Sequence, residues 1–123
     1  MEATYEVAPI IRGADSIIGL NCDAALTPLF NFPAGRFVVD FKYALTDAAV
    51  LATIDSASSP TKVLRTSIPG GAYHIDLLLT KEQTILFLRD TVMFDILVID
   101  GSSRQWLPGI WTWPVQQTVT VWR

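Results

Sequence analysis

The sequence predicts an all-β fold, an antiparallel β-sandwich with one short helix near residues 81–88. Three observations predict it. Short runs rich in Val, Ile, Phe and Thr recur along the chain, and the clearest of them alternate apolar with polar residues. Turn residues separate these runs: Gly13-Ala14-Asp15-Ser16, Thr46-Asp47, Pro69-Gly70-Gly71 and Asp100-Gly101. One stretch, opening at Thr80-Lys81-Glu82-Gln83, carries a helix start signal. At 123 residues the chain reads as a single domain, 1–123, large enough to bury a core without staples.

The elements follow in order. Residues 3–12 look extended, with Pro9 marking an edge or a break, because proline cannot donate to a ladder. Ile17 to Asn21 is a second short strand. Asp23 to Gly35 is punctuated by Pro28, Pro33 and Gly35 and reads as a loop with two aromatic anchors, Phe30 and Phe32. Arg36 to Tyr43 has the cleanest alternation: Phe37, Val39, Phe41 and Tyr43 on one face, Arg36, Val38, Asp40 and Lys42 on the other. Ala49 to Ile54 is a further strand, and Asp55 to Thr61 a polar loop. Lys62–Ile68 and Ala72–Leu79 flank Pro-Gly-Gly and form a hairpin whose second arm points Tyr73, Ile75, Leu77 and Leu79 inward. Thr80 and Gln83 form a capping box, and Ile85, Leu86 and Leu88 give the helix its apolar stripe. Met93 to Ile99 is a strand that stops at Asp100-Gly101. Aromatic-rich extended segments follow around Pro108-Gly109, and Thr118 to Trp122 is the last strand.

Half of the residues are hydrophobic and only 17% are charged, below the usual quarter, and the mean hydropathy is +0.37. Two arrangements accommodate this: apolar surface that meets other subunits, or a thick sandwich core under a skin of Thr, Ser and Gln. The formal net charge is −3 with the cations scattered singly, which argues against nucleic acid as a partner. The single cysteine, Cys22, excludes an internal disulfide and a cysteine-based zinc site. The N-terminus is acidic, unlike a signal peptide, and no apolar run is long enough for a membrane span.

No catalytic, metal or cofactor motif is legible. Asp40, Asp76, Asp95 and Asp100 lie on or beside strands, but a glycosidase needs two carboxylates at a set separation, which sequence cannot place. His74, the lone histidine, falls on the polar phase of its strand. Gly70-Gly71 opens no phosphate-binding helix. Tryptophan is the one unusual enrichment: Trp106, Trp111, Trp113 and Trp122 all lie beyond residue 105. Indoles serve as core, as subunit contacts or as sugar platforms. Phe30, Phe32, Trp106, Trp111 and Trp113 are the candidate interface residues.

From Arg36 onward the order of signals resembles a family of phage virion proteins, typified by the N-terminal domain of the tailed-phage baseplate upper protein. The block from Tyr73 to Leu88, with Ile75, Leu77, Leu79, Thr80, Glu82 and Thr84, is similar to the family's hairpin arm and following turn. Phe94-Asp95-Ile96, Asp100-Gly101, Gly109 and Val119-Thr120 fall where the family carries its later signals, and Arg123 matches its closing basic residue. Phe30 to Gly35 and Trp111 to Pro114 depart from the pattern, and no helical stalk follows. The resemblance implies an immunoglobulin-like docking module without enzymatic activity or cofactor. It implies a virion protein, assembled in the host cytoplasm, acting as a tail, baseplate or neck adaptor that contacts other virion structural proteins as a homo-oligomer. A carbohydrate-binding module for host glycans and a capsid decoration protein are the alternatives.

Overall fold

The computed structural model of the chain describes residues 8–118. Nine strands are numbered in chain order: β1 (Ile10–Ile11), β2 (Ser16–Cys22), β3 (Arg36–Lys42), β4 (Ala52–Asp55), β5 (Val63–Ser67), β6 (Tyr73–Leu79), β7 (Thr91–Asp100), β8 (Ser103–Trp106) and β9 (Trp111–Gln116). The front sheet runs β1-β9-β7-β3-β4, and the back sheet β2-β6-β5. The two sheets form a β-sandwich, with the third, seventh and ninth strands central to the front sheet. One pair departs from antiparallel: β1 runs parallel to β9, Ile10 opposite Val115. The first half of the strand expected over residues 3–12 and most of the one expected over Thr118–Trp122 lie outside the described residues.

Alternation makes the sandwich. Phe37, Val39 and Phe41 of β3 and Val92, Phe94, Ile96 and Val98 of β7 turn inward and are buried. Ile18, Leu20 and Cys22 of β2 and Ile75, Leu77 and Leu79 of β6 close on them from the back sheet. Each such side chain removed from water stabilises the fold by about 1.5–3 kcal/mol. Aromatic rings fill the middle: Phe94 lies 5.1 Å from Phe41 and stacks on Trp111 at 5.4 Å between ring centroids.

The hairpin of β5 and β6 forms as expected, with Gly70 and Gly71 both at positive φ. The loop expected over Asp23 to Gly35 contains a 3₁₀ helix, Ala24–Leu29, which inserts Leu26 into the core.

The helix expected over 81–88 is a single turn, α1 (Lys81–Thr84). Its capping box is present: Gln83 N–H donates to Thr80 Oγ1 and Thr80 N–H to Gln83 Oε1. Tertiary contacts stop it there. The Thr84 hydroxyl accepts from Gly13 N–H and donates to the Ala14 carbonyl. The next bonds tighten to three-residue spacing, Leu86 to Gln83 and Phe87 to Thr84. Tyr43 Oη then takes the Leu88 N–H and donates to the Leu86 carbonyl. Phe87, not the expected Ile85–Leu86–Leu88 stripe, is the residue that enters the core.

Candidate functional site

The outer face of the front sheet collects the chemistry. Because Phe37, Val39 and Phe41 point inward, Arg36, Val38, Asp40 and Lys42 point outward. On β7 the outward set is Met93, Asp95, Leu97 and Ile99. Register arranges them in rows. Arg36 lies opposite Ile99, and Ile99 opposite Arg104 of β8. Val38 lies opposite Leu97, and Leu97 opposite Trp106. Asp40 lies opposite Asp95, and Lys42 opposite Met93.

A groove of about 120 Å³ opens on this face, lined by Asp40, Lys42, Leu45, Met93, Asp95 and Trp106. Trp106 is 58% exposed and Leu45 46%. Burial pushes the Asp95 carboxyl above its ordinary range, the neighbouring Asp40 adds to this, and Lys42 opposes it. Asp40 Oδ1 accepts from the Thr53 hydroxyl at 2.5 Å. At the far end Arg36 pairs with Asp55 at 2.5 Å and holds that carboxyl below its ordinary range.

The five expected interface aromatics do not stay together. Trp106 stands on this face. Phe30 is half-buried at the edge of a ring cluster. Phe32, Trp111 and Trp113 are core residues of the chain itself, which corrects their assignment to a subunit contact. Phe32 stacks on Tyr73 at 4.9 Å, and the Trp113 indole N–H donates to the Ala8 carbonyl at 2.8 Å. The reason is the phase of β9: Trp111, Trp113 and Val115 all face inward, and both indoles meet Phe94. An indole so placed cannot act as a sugar platform either.

The Asp40–Asp95 juxtaposition was missed by sequence reasoning. Its signal is the outward phase of both residues, and only register brings them together. His74 sits on the outer face of the back sheet, where Gly19 leaves room: a Cβ there would come within 3.2 Å of its ring. Its Nδ1 is 2.7 Å from Asn21 Oδ1 and its Nε2 2.8 Å from Asp76 Oδ1. Both nitrogens are thus engaged, and neither is presented to a substrate. Cys22 is buried, and that burial pushes its thiol up to about 11. Among the described residues no group of three or more His, Cys, Asp and Glu side chains is placed to hold a metal ion. Among the described residues no helix is long and apolar enough to cross a membrane.

A comparison with protein families finds no family model that matches this chain, and a comparison with characterised proteins finds no match.

Proposed function

We propose that this domain is a non-enzymatic assembly module that binds another protein through the outer face of its front sheet. The observation that carries the reading is Trp106: a large indole left 58% exposed on a strand, in one row with Val38 and Leu97 and beside Leu45 and Met93. Exposed tryptophan among apolar neighbours is the composition of a binding hot spot. The sequence resemblance supplies the setting: an adaptor in the tail, baseplate or neck of a phage particle, contacting other virion structural proteins. Decoration of a capsid would use the same contact chemistry.

The test is co-expression with the products of adjacent genes, followed by isolation of defined complexes. Trp106→Glu, folded as judged by circular dichroism, is expected to lose the complex that the unaltered chain forms. Equal complex formation by both chains would reject this face as the interface.

A second reading draws on the same groove. An indole beside two carboxylates and Lys42 offers a stacking surface with hydrogen-bonding groups around it, which is the chemistry of a sugar subsite. Glycan-array binding lost in Trp106→Ala would favour it over protein assembly.

A further inference from the structure

We propose that the groove beside Trp106 receives an arginine side chain of the bound protein, held by Asp40 and Asp95 and stacked on the indole. The inference rests on the protein-binding reading above and names the residue chemistry that this face captures. The groove joins the parts such a side chain needs. Trp106 supplies an exposed aromatic face, which attracts cations and on which a planar guanidinium stacks. Leu45 and Met93 line the same groove and would cover the methylene stem. Asp40 and Asp95, both half-buried, supply the negative charge.

The carboxylate pair is unbalanced within the chain. Like charges directly opposite one another across a ladder are unfavourable, yet Asp40 and Asp95 are so placed. Among the described residues the ion pairs are Arg36–Asp55 and His74–Asp76, so Lys42 closes on neither carboxylate. Burial and Asp40 keep the Asp95 carboxyl raised even with Lys42 nearby. Arg104 stands opposite Ile99, four residues along β7 from Asp95, roughly 13 Å away. One lysine against two carboxylates leaves one negative charge, which a single guanidinium matches. Acceptors are free as well. Asp40 Oδ1 takes the Thr53 hydroxyl, while Asp40 Oδ2 and the Asp95 carboxyl accept from no other described residue. Arginine presents donors in a flat fork that can serve two carboxylates at once, whereas the lysine ammonium is a compact point charge.

Nuclear magnetic resonance titration of the full chain tests this, read at the Trp106 indole N–H and the Asp40 and Asp95 amides. The probes are N-acetyl-arginine amide, its uncharged isostere N-acetyl-citrulline amide, N-acetyl-lysine amide and methyl glucoside. The arginine probe should shift these signals saturably and bind at least about fivefold more tightly than citrulline, because only the cation gains charge-assisted bonds. Asp40→Asn and Asp95→Asn, folded as judged by signal dispersion, should each weaken it at least about threefold. Equal binding of arginine and citrulline would overturn the inference, as would undiminished binding by both variants or a lysine probe that binds as tightly. A response to the glucoside alone would overturn it in favour of a sugar. If a variant fails to fold, the comparison of arginine with citrulline decides. Co-expression keeps the two readings apart. A complex lost in Trp106→Glu but kept in full by the Asp40→Asn, Asp95→Asn double variant would reject the arginine and leave the protein-binding face standing.

Discussion

Replacing Trp113 by alanine should destabilise this chain far more than the same change at Trp106. Trp113 is wholly buried, with its ring centroid 6.1 Å from that of Phe94 and its indole N–H on the Ala8 carbonyl. Truncating a buried tryptophan costs about 3–5 kcal/mol, from lost transfer energy and the cavity left behind. That is a large share of a total stability on the order of 5–15 kcal/mol. Trp106 already has more than half its surface in water, and its loss leaves no enclosed cavity, so its truncation should cost about 1–2 kcal/mol. Urea titration followed by far-UV circular dichroism reads both. With m about 1.5 kcal/mol/M, Trp113→Ala should lower the midpoint by roughly 2–3 M and Trp106→Ala by roughly 1 M. Trp113→Phe should fall between, since it keeps a ring but loses the bond to Ala8. Equal shifts for the two alanine variants would refute the core placement of β9.

Three further outcomes are expected. At concentrations where the chain is monomeric, Asp95→Asn should raise Tm at pH 7. The folded carboxyl of Asp95 is raised, so wild-type stability falls as pH climbs from the ordinary carboxylate value of 3.8 into the raised range; the advantage of the variant should vanish below about 3.8. Thr84→Val keeps the shape but deletes the hydroxyl that joins Gly13 and Ala14 to α1; a loss of about 1–3 kcal/mol, or roughly 4–12 °C in Tm, is expected by thermal denaturation. Cys22 should resist iodoacetamide at pH 8 in the native protein and react in denaturant, as mass spectrometry would show, because its buried thiol stays protonated up to about 11.

Much of the fold was legible because alternation records which face is wet. The Phe37–Val39–Phe41 phase of β3 and the Pro-Gly-Gly hairpin could be read directly. The extent of α1 could not, since it is limited by bonds from distant segments: Gly13 and Ala14 at Thr84, and the Tyr43 hydroxyl, which reaches Leu88 from 45 residues away. Nor could β8, whose four residues are all exposed and show no period; only pairing with β7 makes them a strand. The candidate site was half legible. Trp106 was named, but so were Trp111 and Trp113, whose shared inward phase does not say whether the opposing layer belongs to the same chain. The carboxylate pair needed a register, which two separate segments do not encode locally.

The parallel pairing of β1 with β9 bears on how the domain responds to tension. Ile10 and Ile11 lie beside Val115 and Gln116, near opposite limits of the described chain, and the Arg12 N–H bonds to the Gln116 carbonyl at 3.0 Å. Because the two strands run the same way, a pull outward on residues 8 and 118 drags them lengthwise past each other. Their hydrogen bonds are then loaded side by side in shear and must break together, whereas a hairpin pulled at its open end unzips one rung at a time. The short seam of β1 and β9 therefore acts as a clasp against stretching.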